Sequence, residues 1–188
     1  MGAGRVGAPE PGKQHGPSFV RWLVELAALV AIAAVSALVI TTYVVKPFAI
    51  PSTSMEPTLL IDDRVLVSRS AYRSTEPAAG DVVVFISPED STVDLIKRVV
   101  AVGGQTIDIQ DGEVFVDGKR FEGSFVNREF PDHFDSDAPV TVPPGHVFVM
   151  GDNRANSHDS RYFGPVPKSA LLGRAFAIYW PIQRIHGL

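Results

Sequence analysis

Between Leu26 and Val45 the sequence carries no charged residue. At a rise of about 1.5 Å per residue, a helix over those twenty positions reaches roughly 30 Å, the thickness of a bilayer's hydrocarbon core. The segment reads as a transmembrane helix, with residues 22–45 as its expected bounds. A secretory signal peptide competes, but its apolar core would run about 7 to 15 residues and end in a small-x-small cleavage site. Here the run is longer and Lys46-Pro47-Phe48 follows it. Arg5, Lys13 and Arg21 precede the run and only Lys46 lies close after it, so the positive-inside bias puts the amino terminus in the cytoplasm and the remainder outside. Trp22 and Tyr43 stand near the two ends, where aromatic rings favour the interface, and Glu25 in the first turn reaches the headgroups. No other ionisable group enters the span, which argues against a transporter or proton path. Met1 to Pro17 holds five glycines and three prolines, with too little apolar surface to offset the entropy of ordering it. Residues 1–21 are therefore expected to form a disordered cytoplasmic tail.

Beyond residue 50 no stretch sustains a strong helical period. Arg64–Ser68, Asp81–Ile86, Leu95–Val102, Thr106–Ile109, Glu113–Val116, His146–Met150 and Gly173–Trp180 read instead as short, β-branched strands. Turn signals separate them. Asp111-Gly112 between two such runs marks a hairpin, because both central positions of that turn need positive φ. The expected fold class is mainly β: a single N-terminal membrane helix followed by an extracytoplasmic antiparallel domain, closed or partly closed to limit its edges. Gly118 to Pro139 lacks periodicity and reads as an excursion from the main sheet.

Composition removes several classes of function. The chain has no cysteine, so a disulfide framework, a thiolate zinc site and a thiol nucleophile are excluded. A formal net charge of -4 with scattered Lys and Arg gives no basic field, and nucleic acid is not an expected partner. No cofactor and no metal site are expected.

Three stretches carry candidate chemistry. Ile50-Pro51-Ser52-Thr53-Ser54-Met55-Glu56-Pro57-Thr58-Leu59 follows the membrane run, and its two prolines keep it out of a regular helix or central strand. It is a linker leaving the membrane, or a shaped loop presenting a serine nucleophile. In the strand Leu95–Val102, alternation sets Lys97 on the apolar side with Leu95, Val99 and Ala101, and Arg98 on the other. Either the lysine stem packs while its ammonium reaches water, or the amine is desolvated and acts as a base. Gly151 to Arg161 then gathers charged, amide and hydroxyl groups in one loop, where Asp159 and Arg161 can pair. His158 invites a Ser-His-Asp reading but lacks a separate acid with a readable context.

Taken together and in this order, these stretches resemble the boxes of the bacterial type I signal peptidases. Pro51 to Leu59 resembles the nucleophile box, Gly80 to Phe85 the strand box after it, Ile96-Lys97-Arg98 the base box, and Gly151-Asp152-Asn153-Arg154 through Ser157, Asp159, Ser160 and Arg161 the last. The resemblance implies a membrane-anchored serine endopeptidase with Ser54 as nucleophile, Lys97 as general base and an oxyanion hole of the Ser54 N–H and the Ser52 hydroxyl. It implies that Ser157 hydrogen-bonds Lys97 and that Asp159 with Arg161 braces the last loop. It sets Phe48, Ile50, Met55, Leu59, Val84 and Ile96 in shallow pockets for alanine-sized residues of the substrate, against ordinary core packing as the other reading. The implied partners are the signal peptides of exported preproteins, the lipid bilayer and the secretion translocon, and the implied location is the plasma membrane. The implied organisation is a catalytic β core over 46–102 and 146–188 with a smaller inserted β region over 103–145. Ala101 and Gln105 depart from the family's frequent Gly and Asp, so the turn after the base strand is expected to differ. A self-cleaving repressor would carry a DNA-binding domain in place of the apolar run, and a penicillin-binding hydrolase would need Ser-x-x-Lys, which does not occur here. A single-pass envelope adaptor is the non-enzyme alternative.

Overall fold

The computed structural model describes residues 19–39, 44–121, 123, 125–126 and 134–188. The expected tail up to residue 18, Tyr43 and part of the 118–139 excursion lie outside the described residues. Two compact units divide at residue 39. The first contains one helix, α1 (Phe19–Val39), long and apolar enough to cross a membrane, with none of its apolar stretch buried within the chain. Arg21 and Glu25 pair one turn apart on its surface at 3.0 Å. The helix begins earlier than the expected 22, so Phe19 to Arg21 are helical rather than tail, and Val45 belongs to a strand rather than to the span.

The second unit is built from antiparallel strands. Its larger sheet runs in the order β1 (Val45–Ala49), β2 (Arg64–Ser68), β11 (Leu171–Trp180), β3 (Val82–Ile86), β4 (Asp94–Val102), β9 (His146–Met150) and β10 (Val166–Pro167), with β12 (His186–Gly187) also paired to β11. A smaller sheet of four strands takes the order β7 (Lys119–Arg120), β6 (Glu113–Val116), β5 (Thr106–Gln110) and β8 (Val140–Thr141). β1 was hidden by Pro47, which reads as a strand breaker; it lies at a sheet edge, where a missing backbone donor costs little. β7, β8, β10 and β12 have two residues each, too few to show an alternation.

Runs such as Val82-Val83-Val84-Phe85 make sense because both faces of the larger sheet are covered. Val82 and Val84 pack with Ile50, Met55, Leu59, Val65, Val67, Ile96 and Ile178, while Val83 and Phe85 pack on the opposite side with Val99, Val147 and Val149. A third cluster, including Val100, Ala101, Phe148 and Met150 from β4 and β9 and Ile107, Ile109 and Val114 from β5 and β6, joins the two sheets. Ala101 is fully buried there, and Gln105 caps the turn after β4, its side-chain oxygen accepting from Val102 N at 3.0 Å and its amide donating to Asp117. The β5–β6 hairpin turns through Asp111 (φ 51°) and Gly112 (φ 73°), both positive as that turn requires.

Candidate active site

Two prolines and a closed base give the Ile50–Asp63 segment its shape. Ile50 N donates to Asp63 O at 2.9 Å and Asp62 N to Ile50 O at 3.0 Å, tying the two ends, with Asp62 at φ 70° to make the reversal. Within it, a short 3-10 turn spans Thr53–Met55, and Leu59 N donates to Met55 O at 2.9 Å. Met55 and Leu59 are fully buried in the core. Truncating Leu59 to alanine would cost about 2–5 kcal/mol, so these two side chains hold the loop down by packing.

That anchorage leaves Ser54 facing β4. Its Oγ lies 2.7 Å from Lys97 Nζ, and the two residues are only 6% and 4% exposed. Ser52, which is exposed, has its Oγ 3.3 Å from that of Ser54. Burial pushes the Lys97 amine down to about 8 from the ordinary 10.5; Asp159 and Asp152 oppose the shift by favouring the charged form, and Arg161 adds to it. The Lys97 amine is buried rather than reaching water, and Leu95 and Val99 on either side of it pack in one core cluster. Such a group, within hydrogen-bond reach of a hydroxyl, can take that hydroxyl's proton near neutral pH.

Arg98 is also buried, at 8% exposed, though alternation turns it the other way. The sheet has no solvent face here. Arg98 has a carboxylate at contact, and among the described residues Lys97 has none: Arg98 Nε and Nη2 donate to the two oxygens of Asp152 at 2.8 and 2.7 Å, and Nη1 donates to Gly80 O. Thr58 Oγ1 donates to the same carboxylate at 2.6 Å. This constellation escaped the sequence reading, whose only hint was an unexplained acid in the quoted Gly151-Asp152-Asn153-Arg154.

The loop after β9 meets the serine loop directly. Asn153 N donates to Ser54 O at 3.1 Å and its side-chain amide to Thr53 O at 3.2 Å. A Cβ at Gly151 would fall 2.4 Å from Ser54 O and 2.3 Å from Ser157 Oγ, so the two loops touch where only glycine fits. Asp159 and Arg161 do pair, through Nε at 2.8 Å and Nη2 at 2.9 Å, with both side chains fully buried. Asp159 also accepts from Gly151 N at 3.0 Å, and Arg161 donates to the carbonyls of Arg154 and Ser157. Asp159 caps α2 (Ser160–Phe163), and Ser160 Oγ accepts from Val149 N at 3.0 Å, tying loop to strand.

Ser157 corrects an expectation. It is buried beside Gly151, but among the described residues its Oγ has no hydrogen-bond partner, Lys97 included. The lysine reaches Ser54 without it. Phe48, Ile50, Met55, Leu59, Val84 and Ile96 do come together, packed in one apolar cluster under the serine loop. His158 is exposed and faces Glu89 at 2.8 Å, away from any serine triad.

The family model for signal peptidase, peptidase S26, matches residues 23–180. The chain is 38% identical over 179 residues to a probable signal peptidase I-2 of Synechocystis sp., covering 92% of this chain and 80% of that protein. It is 34% identical over 170 residues to a signal peptidase I of Leptolyngbya laminosa, covering 87% and 82%. It is also 33% identical over 237 aligned positions to a signal peptidase I of Mycobacterium tuberculosis, covering 97% and 79%. That aligned length exceeds this chain's 188 residues, so the mycobacterial protein has extra residues within the matched span. These matches define a peptidase, and its family are serine endopeptidases. The chain belongs to the signal peptidase family, peptidase S26.

Proposed function

We propose that this protein is a membrane-anchored serine endopeptidase that removes N-terminal signal peptides from exported preproteins, with Ser54 and Lys97 as the reacting pair. The observation that carries the reading is the 2.7 Å approach of a buried, desolvated Lys97 amine to Ser54 Oγ. Neutral Lys97 takes the hydroxyl proton as Ser54 Oγ attacks the scissile carbonyl carbon. The tetrahedral intermediate collapses, the C–N bond breaks, and Lys97 returns the proton to the leaving amine. An ester to Ser54 remains. Water then attacks it, giving a proton to Lys97, and the departing Ser54 oxygen recovers that proton. The developing oxyanion is received by the Ser54 N–H and the Ser52 hydroxyl, each such donor contributing about 3 kcal/mol.

The Asp159–Arg161 pair supports this reading by fixing the last loop, and Ser157 by close packing against Gly151. Phe48 and Ile96, the less buried members of that apolar cluster, would line shallow pockets that admit small residues one and three positions before the cut, with Ile50, Met55, Leu59 and Val84 packed behind them. In this account residues 46–102 and 146–188 form the catalytic core and 103–145 an insertion. The helix anchors it in the plasma membrane with the amino terminus cytoplasmic, and the bilayer and the secretion translocon are its neighbours. The test is incubation of purified protein with an exported precursor, wild type beside Ser54→Ala, and with precursors made bulky next to the cut. Wild type is expected to cleave only the unaltered precursor and Ser54→Ala none; cleavage by Ser54→Ala would end the assignment.

A further inference from the structure

The serine loop is gripped from the far end of the chain. Arg184 belongs to the short turn Ile182–Arg184 that joins β11 to β12. That turn is held in place because β12 folds back on β11, His186 opposite Ile178 and Gly187 opposite Ala177. From it the guanidinium reaches Asp63 at the base of the loop, Nε donating to Oδ1 and Nη2 to Oδ2, both at 2.9 Å. Nη2 also donates to the Thr58 carbonyl at 3.2 Å. The Asp63 side chain is 1% exposed and accepts from Leu60 N at 2.8 Å, so its charge is out of water and turned inward on the loop.

Thr58 is therefore held at both ends. Its carbonyl takes Arg184 and its hydroxyl joins the Arg98–Asp152 pair, four positions beyond Ser54. The loop closes on itself through its backbone and packs through Met55 and Leu59, and side-chain ties from outside add to that hold. Two ion pairs supply them, Arg98 with Asp152, which is buried, and Arg184 with Asp63, where the carboxylate is buried and the guanidinium is 29% exposed. A planar guanidinium can serve both carboxylate oxygens and a carbonyl at once, which a lysine ammonium cannot match in geometry.

We propose that Arg184, acting through Asp63 and the Thr58 carbonyl, is a positioning residue that sets Ser54 at reacting distance from Lys97. This rests on the reading of Ser54 and Lys97 as the reacting pair. Arg184 touches no reacting atom; it fixes where the loop sits, and a shift of the order of an ångström at the nucleophile is enough to cost rate.

The experiment uses the full chain in detergent, with precursor cleavage measured for wild type, Ser54→Ala, Arg184→Lys and Arg184→Ala well below their unfolding midpoints. Arg184→Lys is expected to lower kcat roughly 10- to 100-fold while KM stays within about twofold. Its pH–rate profile should move upward from about 8, because a looser loop lets water reach Lys97. Added ethylguanidinium should restore part of the lost kcat in Arg184→Ala. A purely structural role predicts a lower midpoint with kcat and the pH profile unchanged, and that result, with Ser54→Ala inactive, would overturn the proposal alone. If Arg184→Ala does not fold, Arg184→Lys, which keeps a cation beside Asp63, decides the matter. Cleavage by Ser54→Ala would remove the reacting pair and this inference with it.

Discussion

In the larger sheet and its loops, Lys97, Arg98, Asp152 and Asp159 are all less than a tenth exposed, whereas in the smaller sheet Arg120 and Glu113 pair with side chains 42% and 46% exposed. Asp117 in the smaller sheet is held below the usual carboxylate range by the Thr106 N–H and the Gln105 amide, yet it too faces water. Taking a charge out of water costs several kcal/mol, and a fold meets that cost only where good partners stand ready. Among the described residues Arg98, Asp152 and Asp159 near Ser54 each meet an oppositely charged group at contact, and Lys97 does not. The contrast separates charges that hold the site rigid from an amine with little compensation, as the proposed base requires.

The contrast can be broken by experiment. Replacing Lys97 with alanine should lower kcat about 10⁴-fold or more while the protein stays folded, as read by single-turnover cleavage at saturating precursor. A variant within tenfold of wild type would make the buried amine ornamental. Asp159→Asn removes the carboxylate charge that Arg161 Nε and Nη2 both engage and should cost about 3–5 kcal/mol, read as a lower urea midpoint. Loss of activity with an unmoved midpoint would instead give Asp159 a chemical role.

The pH dependence of kcat/KM sharpens the same point. Only the neutral amine can accept the Ser54 proton, so kcat/KM should climb about tenfold per unit toward pH 8 and level off above it. Stability moves in the same direction. The unfolded lysine keeps its proton up to 10.5 and the folded one only to about 8, so Lys97 makes the protein more stable as pH rises between those values. A profile flat from 6 to 9 would contradict both the burial and the role. At the small end, Glu113→Ala should change the urea midpoint by less than about 0.5 kcal/mol, because its partner Arg120 is as exposed as it is.

How far these features could be read from sequence follows the range of the interactions. Strands β2, β6 and β9 were legible to the residue because alternation and turn chemistry are local. Ser54 and Lys97 could be singled out as candidates because each sits in a short distinctive stretch. Arg98 with Asp152, and Arg184 with Asp63, bring together residues 54 and 121 positions apart, and nothing local in either partner names the other. Alternation also set Lys97 on an apolar face and Arg98 on the other, with no sign that the other face is covered too. This sheet is covered on both.

Gly151 carries no functional group, yet the serine carbonyl and the Ser157 side chain crowd the place where its first carbon branch would go. In a screen of random variants scored by secretion, that position should look as intolerant as the proposed nucleophile, Ser54. A survey that ranks residues by sensitivity alone would then count a bare stretch of backbone among the chemical participants, when what it has detected is a seam with no slack.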